Sequence, residues 1–460
     1  MENGLKMYPL TDAQKMHYFT VKYCPLKQVL NIGVSVTIEI DVDFDILKKS
    51  IYEAYDHFEC ARIRFHQSED GSVMQYIAEK ETRDIQYFEF RHWKMEDAEA
   101  EMKRWTEVPF ERFDSPMNKI VMISMPDGFQ GVYFLVDHMT MDAQALITFL
   151  SDIIMIYSRE KYNYSYKNPA TSYIEAIQKD LAYQDNSKAL LRDRKYWTDA
   201  ITSSEPMFTD ITGYQTLDQK RYEMNDYSFR SASNNCDSVK ANIATFHLEP
   251  QPSDVIMNFC NEYNVPMVCL LIMAIRTYLQ KMNRNEPDIS INTTVARRAT
   301  LLEKKSGGTR IHFFPFRTIV NLDDTFLEGC RKIQESQNAL FRHANFNSIE
   351  VMGTRAKYYK LNGTTYEPMS LTYQPLTMKS KDMPDINYKT NWYSNGVAAQ
   401  ALYLTVMHRS LDNGMDFSFE YKKDKYSYDD LEKFYYYISK ILFEGVLFPD
   451  KKVGAIIADV

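Results

Sequence analysis

The sequence lacks most of the features that would place it outside the ordinary globular class. Its apolar runs, such as Val265 to Ile275, are interrupted or too short to cross a bilayer, which takes about 20 consecutive apolar residues. The first residues lack the apolar core of a secretory signal. Cysteine is scarce, with six residues at positions 24, 60, 236, 260, 269 and 330, and they show neither paired metal-ligand spacing nor a dense disulfide framework. Positive charge is not in excess: the net charge is −8. Clustered Lys and Arg able to neutralise a phosphate backbone are therefore not expected, and nucleic acid is excluded as a partner. No Gly-rich phosphate loop occurs. Together these absences predict a soluble, cytoplasmic protein with reduced thiols, no metal, no membrane contact and no tightly held cofactor.

What is present points to two packed bodies. The 460 residues, 45% apolar and 25% charged, supply two cores of ordinary size. Alternation at Ile32, Val34, Val36, Ile38 and Ile40 predicts a half-buried strand. Leu47, Ile51, Ala54 and Phe58 then share one helical face behind Asp43, a candidate N-cap. Two β-prone runs, Ile120 to Met125 and Phe129 to Val136, flank the turn Pro126-Asp127-Gly128 and predict a hairpin. Leu146, Phe149, Leu150, Ile153, Ile154 and Tyr157 recur at helical spacing. Between hairpin and helix lies Asp137-His138-Met139-Thr140-Met141-Asp142-Ala143. A histidine placed where a strand turns toward a helix is where a fold can expose a proton acceptor.

Farther along, Pro169-Ala170-Thr171-Ser172 precedes a charged helical stretch from Ile174 through Trp197, which predicts the crossover between lobes. Residues 203 to 240 are polar and read as connection. A second series of strands and helices includes Ala244 to Leu248, an apolar helix near Val265 to Met282, and Ile289 to Val295. We divide the chain into lobes at 1–175 and 176–460. The 33 tyrosines, clustered for example at Tyr435-Tyr436-Tyr437, read as packing.

The histidine segment resembles the His-His-x-x-x-Asp-Gly signature of the condensation domains of nonribosomal peptide synthetases, which share a fold with chloramphenicol acetyltransferase. His138 matches the second histidine and Asp142 the aspartate, while Asp137 replaces the first histidine and Ala143 the glycine. Other segments agree in order. Pro9 to Gln14 with Met16 and Tyr18 is similar to the family's opening Ser-x-Ala-Gln segment. Phe58 to Phe65 resembles Arg-His-Glu-x-Leu-Arg-Thr-x-Phe, keeping Glu59, an arginine and Phe65. Asn292 to Arg298, with Gly308 and Phe313 to Arg317, resembles the stretch that begins Asn-Thr-x-x-x-Arg. Arg342 to Phe346 falls where the family has a His and a Pro-Phe pair, and the run from Val406 to Leu442 is similar to its last strand and helix.

The resemblance implies an α/β fold of two chloramphenicol acetyltransferase-like lobes in a V arrangement with a central tunnel. Without a carrier-domain serine motif or an adenylate-forming motif, it implies a free-standing unit. The implied reaction joins an acyl donor, held as a thioester on the phosphopantetheine arm of a carrier protein in trans or on coenzyme A, to an amine or hydroxyl acceptor. His138 is then the general base or the group that aligns the nucleophile. Asp142, paired with Arg62, and Asp137 are structural at the site. The segment Pro368 to Tyr373 resembles a strand that faces the histidine, so Ser370 and Thr372 are candidates for contact with oxyanion or substrate. Arg297 and Arg298 are candidates for contact with the donor arm. His312, His343 and His408 are expected to be structural. Two other readings stay open. The Asp137 and Asp142 pair is similar to the Asp-x-x-x-x-Asp variant of heterocyclization domains, with Thr372 matching a threonine used there. Asp137 beside His138 is also compatible with a non-catalytic protein that docks carriers or recruits partners.

Overall fold

The computed structural model describes residues 5–79, 83–234, 236–375, 387–409 and 412–460. The strands are β1 (Tyr8–Pro9), β2 (Asn31–Ile38), β3 (Ile63–Gln67), β4 (Val73–Ile77), β5 (Gln86–Glu89), β6 (Asn118–Ser124), β7 (Gln130–Asp137), β8 (Ala241–Leu248), β9 (Asp288–Ala296), β10 (Ile311–Ile319), β11 (Ser370–Gln374), β12 (Tyr388–Tyr393), β13 (Leu402–His408) and β14 (Met415–Lys422). The chain forms two compact units. One comprises Met1–Asp185, Ala296–Ile311 and Leu376–Val397; the other comprises Asn186–Val295, His312–Pro375 and Ala398–Val460. Where the sequence reading draws one boundary, at residues 175 and 176, the fold draws several, because the chain re-enters the first unit twice.

The first unit carries a five-stranded sheet of order β12-β2-β7-β6-β5 and a three-stranded sheet of order β1-β4-β3. The expected hairpin is β6 and β7, with Met125 N–H donating to the Phe129 carbonyl at 2.8 Å and Gly128 at φ +87°, a conformation glycine adopts without strain. Asp43 caps the helix Phe44–His57, accepting from the N–H groups of Asp45 and Ile46 at 3.1 Å.

The strand read as half-buried is covered on both faces. Ser35 and Thr37 of β2 are buried, because the helix Met95–Thr106 packs on their side while the helices Phe44–His57 and Ala143–Tyr162 cover the other. That helix passes so close that a Cβ on Gly33 would meet the Thr106 hydroxyl at 2.2 Å. Thr106 in turn bonds the Tyr133 hydroxyl at 2.7 Å, so the polar groups of this layer satisfy one another.

The second unit carries a six-stranded sheet of order β10-β9-β11-β13-β14-β8. β11 runs parallel to β9 and β13, and β14 runs antiparallel to β13 and β8. One face presents Leu371, Leu404, Phe419 and Ala244, which join the core built with the buried helix Met267–Met282 and the helix Tyr428–Leu447. Residues 203 to 240 are more than connection: they include the helix Gln215–Met224 and a small core of Met207, Phe208, Leu217 and Ala232. Asp210 is buried there, 3.3 Å from the Lys425 ammonium and accepting from the Tyr426 hydroxyl at 3.2 Å. A buried charge of this kind needs such partners, which accounts for structure inside a polar stretch. Among the described residues no single helix is long and apolar enough to cross a membrane.

Candidate active site

The segment from Asp137 to Asp142 leaves the end of β7 and enters the helix Ala143–Tyr162, and both of its ends are pinned. At the first end Asp137 is fully buried. Its carboxylate accepts from the Met139 N–H at 2.9 Å and lies 2.8 Å from the Arg112 guanidinium, and its carbonyl accepts from the Thr140 N–H at 2.9 Å and the Thr140 hydroxyl at 2.8 Å. Neighbouring His138 donates its backbone N–H to the Leu30 carbonyl at 2.8 Å. Arg112 is a partner the sequence does not announce, since it stands in an irregular stretch with no motif around it.

At the second end the Asp142 carboxylate caps the helix, accepting from the Ala145 N–H at 3.0 Å. The same carboxylate receives Arg298 Nη2 at 2.7 and 2.8 Å and the Arg310 N–H at 2.9 Å. Arg298 also donates to the carbonyls of Glu303 at 2.6 Å and Gly308 at 2.8 Å, which ties the re-entrant segment Ala296–Ile311 around the carboxylate. Burial alone would raise the Asp142 carboxyl, but the Arg298 guanidinium and the backbone donors outweigh it and hold the group below its ordinary value. Gly308, at φ +77°, has no room for a side chain: a Cβ would meet the Tyr173 ring at 2.2 Å.

This corrects the expected pairing of Asp142 with Arg62. Arg62 instead donates to the Ala78 carbonyl at 3.2 Å, holding β4 to the turn Glu59–Arg62. It also corrects the role given to Arg298, whose side chain is 6% exposed and is committed to Asp142 and to loop carbonyls rather than turned outward as a basic patch. Arg297 sits close by in the same segment, with burial pushing its guanidinium down to about 10. Glu59 accepts from the Ser172 hydroxyl at 3.0 Å and the Ile174 N–H at 2.9 Å, and so fixes the start of the helix Tyr173–Asp185.

Between these pins His138 is half-buried. Its ring stacks on His17, with centroids 4.2 Å apart and planes 23° from parallel. Burial lowers the His138 pKa, and Asp142, its own carbonyl and Asp137 pull the other way without reversing the shift. Burial, and then the charge of His138, push His17 well below the ordinary value. The pair is therefore neutral at neutral pH. His138 Nδ1 is sealed from solvent and makes no hydrogen bond of good geometry among the described residues. His17 lies on the helix Asp12–Tyr23, whose capping box joins Thr11 and Gln14. The family-like opening segment brackets His17, between Gln14 and Tyr18, yet nothing in that pattern singles it out.

A family model described as the condensation domain matches residues 5–456. The chain belongs to the condensation-domain family. That family consists of amide-bond-forming acyltransferases. A plipastatin synthase polypeptide of Bacillus subtilis (strain 168) is 23% identical over 448 residues, which is 96% of this chain and 16% of that protein. Surfactin synthase subunit 1 of the same organism is 21% identical over 93% of this chain and 11% of its own length. This condensation domain thus spans about a sixth or less of these curated relatives.

Among solved structures, the first condensation domain of the calcium-dependent antibiotic synthetase, in complex with a substrate analogue, superposes with a TM-score of 0.80 at 17% identity, covering 98% of this chain and 99% of that one. The starter condensation domain of rhizomide synthetase, as a variant in complex with C8-CoA, gives a TM-score of 0.80 at 15% identity over 98% and 97%. The X-domain from teicoplanin biosynthesis gives 0.73 at 14% identity over 98% of both chains. At these identities the likeness shows the mixed α/β fold.

Within the second unit of the condensation domain, Ser370 and Thr372 lie on the polar face of β11. Ser370 donates to the Gln400 side chain, and the Thr372 hydroxyl is 2.5 Å from that of Thr294 and 2.6 Å from that of Tyr403. The histidines expected to be structural have structural partners: His312 pairs with the Ser348 hydroxyl at 3.1 Å, His343 with Asp193 at 2.8 Å, and His408 with the Tyr373 hydroxyl at 2.8 Å. Among the described residues no cluster of three or more His, Cys, Asp or Glu side chains is arranged to hold a metal ion.

Proposed function

We propose that the chain transfers an acyl group from a thioester, carried on the phosphopantetheine arm of a carrier protein or on coenzyme A, to an amine or hydroxyl acceptor in nonribosomal peptide-type biosynthesis. One observation carries this: a half-buried imidazole at the end of β7 is kept neutral by burial, and the carboxylates on either side of it are committed to arginines. With the proton on Nδ1, the Nε2 lone pair is available to accept a hydrogen bond from the acceptor N–H or O–H. As the new C–N or C–O bond forms, His138 takes that proton, and it returns it to the departing thiolate when the C–S bond breaks. Asp137 and Asp142 hold the segment in place, each paired with an arginine. Ser370 and Thr372 are kept as candidate substrate contacts; the Ser370 hydroxyl proton is already donated to Gln400, so it is not an oxyanion donor. Arg297 is the remaining candidate contact for the donor arm. Thioester donation is supported by the similar starter condensation domain described in complex with C8-CoA.

The test is His138→Ala, assayed with an acyl thioester and a panel of amine and hydroxyl acceptors and read by product mass. The expected result is a folded protein whose transfer rate falls by about 10² to 10⁴. An undiminished rate removes His138 from the mechanism. A wild-type product lighter by a second water supports cyclization instead, and carrier binding with no turnover supports the docking reading.

A further inference from the structure

We propose that the polar face of the second unit's sheet is a site for an organic ammonium ion, with Glu420 as its counter-ion, and that the ion is the basic side chain of a substrate. This deepens the acyl-transfer reading and rests on it, because Ser370 and Thr372 stand on the same face.

The strand registers define that face. Asn292, Ser370, Tyr403 and Glu420 are consecutive partners across β9, β11, β13 and β14. The next row is Thr372, Thr405, Ser418 and Thr245. Successive residues of a strand point to opposite sides, so these two rows share one face and the residues between them, Leu371, Leu404 and Phe419, enter the core. Nearly every polar group on the face has a neighbour on it. Thr294, Thr372 and Tyr403 form a chain of hydroxyls at 2.5 and 2.6 Å, and Thr245 bonds Ser418 at 3.0 Å.

Glu420 differs. It is half-buried, and among the described residues it has neither a hydrogen bond nor an ion pair. Lys422, two residues on and pointing to the same side, forms no ion pair with it. Asp416, four residues back, is occupied by His247 at 2.7 Å and Arg409 at 3.5 Å. Burial pushes the Glu420 carboxyl up to about 7. A half-buried carboxylate without a partner among the described residues is costly, whereas most other polar groups on this face satisfy one another.

The surroundings favour an ammonium over a metal ion. One carboxylate among hydroxyls does not make a divalent-cation cage. The Tyr403 side chain lies within electrostatic reach, since its phenol is raised by burial and also by the charge of Glu420. A carboxylate beside an aromatic ring suits an alkylammonium, which donates a charge-assisted hydrogen bond to the carboxylate and makes a cation–π contact with the ring.

The test uses the full chain and calorimetric titration with N-acetylcysteamine thioesters of lysine and ornithine, each against its uncharged counterpart, norleucine or norvaline. Every probe carries the same α-amine, so the comparison reads the side chain alone. At least one basic probe should bind about tenfold tighter than its counterpart, and the isosteric change Glu420→Gln should abolish the preference. Equal binding within both pairs in the wild type, or a preference that survives in Glu420→Gln, overturns the proposal. The wild-type comparison stands even if the variant fails to fold. Binding needs no turnover, so a preference for the basic probe together with undiminished transfer in His138→Ala would sink the mechanism and leave the ammonium site intact.

Discussion

Removing the Asp142 carboxylate is the perturbation whose cost follows most directly from the structure. Asp142→Ala leaves the Arg298 guanidinium, with a 6% exposed side chain, without its counter-charge. Breaking such a buried pair costs about 3 to 5 kcal/mol. It also removes a helix N-cap, worth about 1 kcal/mol, and strands the Arg310 N–H, worth about 1 to 3 kcal/mol. These contributions share atoms and relax together, so they do not add; the unpaired arginine dominates and the expected loss is about 3 to 5 kcal/mol. Urea unfolding at pH 7 measures it. Changing both partners, as in Asp142→Asn with Arg298→Met, should cost less than Asp142→Ala, because no buried charge is then left alone.

The pH dependence has a definite sign. The folded carboxyl is held below its unfolded value of about 3.9, so its contribution is complete above that pH and is lost as pH falls through the folded value. Wild type and Asp142→Asn should therefore converge only in acid below about pH 4. A loss under about 1 kcal/mol for Asp142→Ala, the range of an exposed pair, would refute the account of a sealed bridge.

Two further outcomes follow from the same geometry. Arg112→Ala strands the buried Asp137 carboxylate and should cost about 3 to 5 kcal/mol while slowing transfer with His138 still present; an unchanged melting temperature would show the pair to be idle. Because burial lowers the His138 pKa, its neutral, proton-accepting form persists into mild acid. The acidic limb of kcat/KM should accordingly lie below the ordinary histidine value of about 6.5, and a limb at or above that value would argue against a ring kept neutral by burial.

Local pattern made much of this architecture legible. The hairpin around Pro126-Asp127-Gly128, the Asp43 cap and the helix after His138 depend on neighbours in sequence, and periodicity and turn chemistry report those directly. What the sequence did not disclose is long-range. Ser35 and Thr37 alternate with apolar residues as an exposed face would, yet the helix Met95–Thr106 covers them. The resemblance pairs Asp142 with Arg62, and only the re-entry of Ala296–Ile311 brings Arg298 to the carboxylate instead. Arg112 and His17 carry no local signature at all; they matter because the fold places one beside a carboxylate and the other beneath an imidazole.

The departures from the family signature at positions 137 and 143 can be judged by the same physics. A carboxylate introduced where the signature has a histidine, at a site with no solvent access, would be untenable alone. Here Arg112 lies 2.8 Å away, so the substitution arrives with its counter-charge and the segment retains a partner at that end. At position 143 the signature's glycine would matter if the backbone needed positive φ, but Ala143 opens the helix and is not among the residues with that conformation. An L side chain is therefore accommodated without strain. Both changes are compensated locally, and neither removes a group that the proposed proton transfer uses. The ring on which the proposed proton transfer rests remains half-buried, stacked on His17 and held neutral by burial.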